Sequence, residues 1–501
     1  MYSQIIKNDW KNLIGDRSVW LVALGLALLL GYAIYNGAKW SGAQSQLHQT
    51  LVQEQQQRFT EARDRLTRGE TKPQPGQPDP SDAYAIGTSL AYAVLPSSPL
   101  SFTSIGQSDL LRPTVGVSVL SKQRTVADKQ GFENPLVLLA GRFDLAFVII
   151  YLLPLVVLAF SFNLLSAERE NGTLQLVLSQ PVSLARFGVA KLLHRFAIVF
   201  LFVSAVSLIG MVLSALNLSS SKFWSSVLMW LVAVFSYTLF WFALALLVNS
   251  FGHSSATNAV ALGGCWIVLI LVLPSLMNAA VTSIYPMPSR VEEINAIRSV
   301  NLDMRRDGAR LVSEFYQDHP ELAPRSDVAD KSLTLAYVTI QQDLKRRLAT
   351  VEDRFNAQLE RQQRTVERTR FVSPAIAMQE ILNQIAGTDT SRYQLFRAQA
   401  RAYAESWDAV FLPVIYRNVK LAPEDYDSIP RFTFYPQTPA KFMAGIGVGF
   451  ASILALTSVL FVFAGLRLKR SRLLDQRDRL LSFTIIRANR AGSTKTQVSK
   501  V

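Results

Sequence analysis

The sequence predicts an all-α polytopic membrane protein: six transmembrane helices joined to a mainly helical extracytoplasmic domain with minor β. Two observations carry this prediction. Half of the 501 residues are hydrophobic and the mean hydropathy is +0.20, yet 18% are charged. A soluble domain is less apolar than this, and a protein made of spans alone holds fewer charges. The second observation is a set of six stretches that reach the roughly 20 apolar residues needed for a bilayer crossing. They fall at 18–38, 143–166, 196–216, 224–249, 258–283 and 442–466. Each is continuously apolar and lacks the alternation of a barrel strand, so each reads as a helix.

The elements follow in order. Residues 1–17 set Ile5, Ile6, Trp10, Leu13 and Ile14 among Lys7, Lys11 and Arg17, the pattern of an amphipathic helix lying in the inner membrane interface. The run Val19–Tyr35 is long for the apolar region of a signal peptide. Gly37-Ala38-Lys39-Trp40 follows it where a cleavage site would stand, so it reads as a permanent first span. The segment 39–142 opens with Leu47, Leu51, Phe59 and Leu66 near helical spacing and continues through a Pro- and Gly-rich linker, Arg68–Pro80. The alternation over Val115–Leu120 predicts a short strand.

The segment 284–441 is larger. Ile340, Leu344, Leu348, Val351, Phe355 and Leu359 step by three or four and form one stripe of a long helix. A second helical unit follows Ser373-Pro374 and ends at Gly387, a C-cap residue. A third carries Tyr393, Phe396, Tyr403 and Trp407. Apolar stripes cannot stay wet, so the two long segments are expected to fold on each other as one domain. Pro274 is expected to break the fifth span near its outer end.

Charge sets the orientation. The net charge is +14; residues 467–501 hold ten Lys/Arg against two Asp/Glu, whereas 284–440 hold 21 of each. The positive-inside rule puts the basic tail, 467–501, in the cytoplasm with the short loops on its side. Both termini are then cytoplasmic and both long segments lie outside. Arg467–Arg472 directly follow a span, where they anchor topology or meet anionic lipid, and no nucleic-acid partner is expected.

Much chemistry is excluded. Cys265 is the one cysteine, it lies within the fifth span, and His48, His194, His253 and His319 are scattered, so no metal-ligand spacing exists. The sequence has no G-x-x-x-x-G-K-[ST], G-x-S-x-G or H-E-x-x-H motif, so it reads as no enzyme and does not hydrolyse ATP itself. Polar groups near the spans include Asp144 with Arg142, read as a local pair, and Asn163, Asn249, Asn258 and Asn278 near span ends. His194 and Arg195 open span three, and Trp230, Tyr237 and Trp241 crowd span four as packing or interface groups.

The most patterned segment is 167–195. Glu168 and Glu170 close span two, Asn171-Gly172 break the helix, and Leu174, Leu176, Val177 and Leu178 form a short apolar face. Gln180-Pro181-Val182-Ser183 stop it before Arg186 and Lys191 start span three. A short helix bounded by Gly and Pro is a stiff lever between two spans. Glu168, Gly172, Thr173, Leu174, Val177, Pro181, Val182, Ser183, Phe187 and Lys191 fit E-x-x-x-G-T-L-x-x-L-x-x-x-P-[VIL]-[ST]-x-x-x-[FIL]-x-x-x-K. In this the chain resembles the ABC-2 type transporter permeases.

The resemblance implies the transmembrane subunit of an ATP-driven exporter in a bacterial inner membrane. Glu168, Glu170, Gly172, Thr173, Leu174, Val177, Pro181, Ser183 and Lys191 would then form the surface that couples to a separate ABC ATPase subunit. ATP and Mg would be bound by that partner, and no cofactor by this chain. A second permease copy or a sibling permease would complete a dimer, with membrane lipids around it and a periplasmic binding or adaptor protein outside. The long outer segments depart from the common form, where spans five and six are joined by a small re-entrant hairpin. The alternative is a mechanotransmission complex, whose extracytoplasmic domain acts on a periplasmic partner without moving substrate through the membrane.

Overall fold

The computed structural model describes residues 2–73, 77–106, 108, 111, 113–120, 143–174, 183–215, 218–284, 335, 337–350 and 373–497, with scattered short stretches between 294 and 361. Among the described residues six helices are long and apolar enough to cross a membrane: Arg17–Thr67, Leu145–Glu170, Leu184–Ser214, Ser221–Asn249, Ser255–Ile284 and Pro439–Arg470. They are spans one to six of a multi-pass membrane protein. Spans one, three and five start at polar caps. The side chain of Asp16 accepts from the Ser18 amide, that of Ser183 from Arg186 and that of Ser254 from Thr257, each filling an orphan donor of a first turn. Residues 166–174 and 250–255 mark the basal end of the bundle, and the opposite end is apical.

Span four is the axis. Trp230, Tyr237, Trp241 and Phe242 are fully buried where it meets spans two, three and six. Span five is the opposite case, with 11% of its most apolar window buried within the chain against 67% for span four.

Spans two and five share one local device. A wide π-type turn, Val148–Leu152, precedes Leu153-Pro154, and another, Val268–Val272, precedes Leu273-Pro274. Proline has no N–H to donate and its ring clashes with the carbonyl four residues back, so the helix widens there instead of ending. Pro274 therefore does not break span five, which continues to Ile284. The carbonyls around these turns find side-chain donors from other elements. Tyr237 Oη donates to the Ile150 carbonyl (3.0 Å), Trp266 Nε1 to Tyr151 (3.2 Å) and Ser373 Oγ to Leu269 (3.3 Å).

The helix of span one runs unbroken to Thr67, and no proline interrupts 38–67. It leads into α2 (Ala83–Thr88) and an antiparallel pair, β1 (Ala91–Val94) with β2 (Thr114–Val117), registered Ala91 to Val117 and Val94 to Thr114. The strand expected over Val115–Leu120 is thus present at its start. The Pro-rich linker is pinned where it is described: Arg65 donates to the Lys72 and Pro78 carbonyls, and Tyr426 Oη to Pro80. Asp144 accepts from the Phe147 and Ile105 amides (2.7 and 2.8 Å), so it caps span two and ties 100–106 to it. Its expected partner Arg142 lies outside the described residues.

Three more helices follow among the described residues: α3 (Pro374–Ala386), α4 (Thr390–Tyr416) and α5 (Asp425–Ser428), the last two in the apical part. The chain is also helical over 337–350. Ala83, Ile86, Ala91, Val117, Leu335, Val338, Phe396, Trp407, Phe411 and Tyr426 share one apical core, so the two long segments fold on each other. Leu344 of the long stripe is buried, while Val351, Phe355 and Leu359 lie outside the described residues. One helix goes elsewhere than the sequence reading sets it. Met378, Ile381, Leu382 and Ile385 of α3 bury among the spans, against spans four and six. Its apolar face is as continuous as a span's, and Gly387, at φ 69°, turns the chain back to the apical side.

Candidate functional site: the basal segment between spans two and three

Span two ends in a turn over 162–165 and a short helix, Ser166–Glu170. Gly172 at φ 71° then reverses the chain, a conformation that a side chain disfavours. Thr173 and Leu174 are half-buried behind it. Val177, Pro181 and Val182 lie outside the described residues. Ser183 opens span three as its N-cap.

Two carboxylates fix this segment, each to a different span. Glu168 pairs with Lys191 of span three (3.0 Å) and accepts from the Thr173 hydroxyl. Glu170 lies at the start of span five, accepting from the Ser255 amide (2.6 Å) and hydroxyl (2.8 Å). Between them, Arg169 donates to the Gly252 carbonyl and Ser166 Oγ meets Ser255 Oγ at 2.8 Å. Asn249 joins the same end: its amide donates to the Ser161 carbonyl (3.0 Å) and its oxygen accepts from the Leu165 amide (3.2 Å). Of the coupling residues expected from sequence, Glu168, Thr173 and Lys191 therefore meet, and Glu170 contacts the turn between spans four and five.

Lys191 extends the arrangement to a residue that sequence reasoning missed. α1 (Tyr2–Gly15) packs on span three, and its Asp9 is 4% exposed. Asp9 meets His194 Nδ1 at 2.9 Å, Arg195 Nη2 at 3.0 Å and Lys191 Nζ at 3.9 Å. Arg195 also donates to the Phe160 carbonyl (2.6 Å) and to Asn163 Oδ1 (2.9 Å), which returns the chain of contacts to span two. Two carboxylates face Lys191 and Arg195, so the buried charges balance. Burial alone would push the Asp9 carboxyl up, but hydrogen bonds from Arg195 and His194 and the Lys191 charge hold it below its ordinary value. A signal for this was on the page: Lys191, His194 and Arg195 share one helical face, and Asp9 is the one acid before Asp16.

Among the described residues no three His, Cys, Asp or Glu side chains gather as a metal group. The segment 166–174 is clamped through Glu168 to span three, through Glu170 to span five, and through Lys191 and Arg195 to α1.

Residues 290–435 match a family described as a domain of unknown function, DUF3526, which places the match on the segment between spans five and six. No curated protein matches the chain.

Proposed function

We propose that this chain is the transmembrane permease subunit of an ABC-2 type exporter, driven by a separate ATPase subunit that docks below residues 166–191. The observation that carries this reading is the clamp on the basal segment. Glu168 ties it to Lys191 and Glu170 ties it to the Ser255 amide, so a push on 166–174 is delivered to spans two, three and five together. The motif running from Glu168 to Lys191 supports the same reading, as does the lack of any phosphate-binding loop in the sequence. In this reading both termini and the basal end are cytoplasmic, the apical domain is extracytoplasmic in a bacterial inner membrane, and a second permease completes the path. The chain itself turns over no ATP.

The test is ATP turnover by the complex purified with its partner ATPase. Gly172→Pro cannot hold φ 71°, and Glu168→Lys with Glu170→Lys reverses both clamps. Each is expected to abolish transport-linked turnover while the protein still inserts and assembles. Full turnover in either variant would overturn the reading.

One observation favours the mechanotransmission alternative enough to keep it. The apical segments bury a core of their own, with Trp407, Phe396 and Phe411 fully buried, and the family match lies there and not on the spans. Substrate flux in proteoliposomes separates the two readings. ATP turnover with no flux, stimulated by a periplasmic partner, would favour the alternative.

A further inference from the structure

Two widened turns stand side by side in the bundle. Val148–Pro154 of span two (VIIYLLP) and Val268–Pro274 of span five (VLILVLP) share one pattern, an apolar run closed by Leu-Pro. In both, the amide that closes the turn, Leu153 or Leu273, donates to the carbonyl five residues back. The spans run in opposite directions, and Trp266 Nε1 donates to the Tyr151 carbonyl (3.2 Å), so the turns lie at one depth. Each proline orphans an acceptor, and another element fills it. Pro154 has no N–H for Ile150, four residues back, and Tyr237 Oη of span four donates instead (3.0 Å). Pro274 has no N–H for Leu269, five residues back across the wide turn, and Ser373 Oγ donates instead (3.3 Å).

Apical to the turns the two spans differ. The arm of span two is fixed. Leu145, Ala146, Val148 and Ile149 are buried, Asn36 donates to the Phe143 carbonyl (2.8 Å), and the Ala146 amide donates to the Thr103 carbonyl (2.9 Å). The arm of span five, Leu273–Ile284, is barely packed within the chain. Of its 12 residues only Val281 is buried, and Leu276 and Ile284 are 62% and 65% exposed. At the root of this arm stands Ser373, which is fully buried and opens α3 as its N-cap. α3 is wedged against spans four and six, so the hydroxyl is a fixed point. The matched segment 290–435 begins just beyond the arm and contains Ser373.

We propose that the wide turn of span five is a hinge on which the arm Leu273–Ile284 swings, and that the Ser373 hydroxyl latches the arm in the position seen here. The turn of span two is its fixed counterpart at the same depth. A π-type turn suits this task. It holds one residue more than an α-turn, so a change in which carbonyl is paired re-aims the helix beyond it. Pro274 leaves that pairing to a side chain, and a single hydrogen bond is weak enough to break and re-form. When the latch opens, the arm carries the start of segment 290–435 relative to α3, which stays among the spans. The hinge is independent of what drives the basal end.

The experiment is pulsed electron–electron double resonance on the full-length protein in lipid nanodiscs, diluted with unlabelled protein. Spin labels are attached at Leu276→Cys on the arm and Leu228→Cys on span four, both exposed, in a Cys265→Ser background. With Ser373 intact, one distance is expected to dominate, that of the latched arm. Ser373→Ala should raise the weight of a second distance roughly 2- to 13-fold, the range that the usual net strength of a hydrogen bond gives. Ser373→Thr keeps the hydroxyl and should restore the first distribution. Pro274→Ala returns a backbone donor to the turn, so adding it to Ser373→Ala should remove the second distance. A distribution that Ser373→Ala leaves unchanged would overturn the proposal. So would a second distance that persists in full when Pro274→Ala is added, since it would then come from loosening of α3 and not from the hinge.

Discussion

Asp9 at the basal end and Trp407 at the apical end are buried alike, at 4% and 0% exposure, but they hold their surroundings by different means. Asp9 is surrounded by His194, Arg195 and Lys191, and each contact depends on charge and direction. Trp407 is surrounded by rings: Phe411 at 4.7 Å between centroids, Phe59 at 6.1 Å and Tyr403 at 6.2 Å, with one hydrogen bond to the Gly87 carbonyl. Packing of this kind is non-directional and tolerates small shifts. A charge cluster has few arrangements and changes abruptly between them. The contrast separates the two ends: the basal end is held by directional pairs, and the apical end by a packed apolar core; under the proposed function the first would receive the push.

Removing each anchor sharpens that contrast most. Asp9→Ala leaves Lys191 and Arg195 without their shared anion, a loss of about 3–5 kcal/mol for a broken buried pair. It is expected to release α1, seen as fast hydrogen exchange over residues 2–15, with the apical domain unchanged. Trp407→Ala should cost about 3–5 kcal/mol as well, through a cavity. Its exchange should rise over α2, β1, β2 and α4 while α1 stays protected. If either change loosens both ends, the two are not separate units.

Acid should also separate them. Asp408 of α4 takes the Lys345 ammonium at 2.6 Å, but its other oxygen meets no donor among the described residues, and burial pushes its carboxyl above the ordinary value despite Lys345. Asp9 is held below that value. A lowered carboxyl contributes stability that is present at neutral pH and is lost as pH falls through its folded pKa; a raised one costs stability at neutral pH that protonation relieves. Lowering the pH below about 4 should therefore free α1, while the contact between α4 and 337–350 holds or tightens at milder acid. Exchange corrected for intrinsic rates measures both. Loosening of the apical contact before α1 would contradict the assignment.

The smallest expected effect is at the surface. Arg63 and Asp427 pair at 3.0 Å across the apical domain with side chains 46% and 62% exposed. Arg63→Ala should cost about 0–1 kcal/mol, readable as a small shift in the melting midpoint. A larger loss would mean the apical end too depends on charge.

How much of this was legible in the sequence varies by element. The six spans were, because the apolar runs are long and the bilayer sets their length. So was the end of α3 at Gly387, since few residues suit a left-handed cap. The destination of α3 was not: Met378, Ile381 and Leu382 make the same stripe whether they pack on an apical helix or among spans. The widened turns before Pro154 and Pro274 were hidden too, because a proline in an apolar run reads as a break until donors such as Tyr237 and Trp266 are placed beside it. Within the basal site, Glu168 and Lys191 were picked out by the resemblance of 168–191 to the ABC-2 permease pattern. Asp9 was missed because its partners lie more than 180 residues away.

The central claim is that the Glu168–Lys191 pair carries the partner's motion from the basal segment into span three. A double-mutant cycle on the ATPase complex tests it most directly, with Glu168→Gln, Lys191→Gln and both together, reading transport-linked ATP turnover. If the pair acts as one link, each single change should cut turnover by roughly 5–150-fold, and the double should be no worse than the more severe single. Losses that multiply in the double variant, or singles that turn over ATP like wild type, would contradict the account.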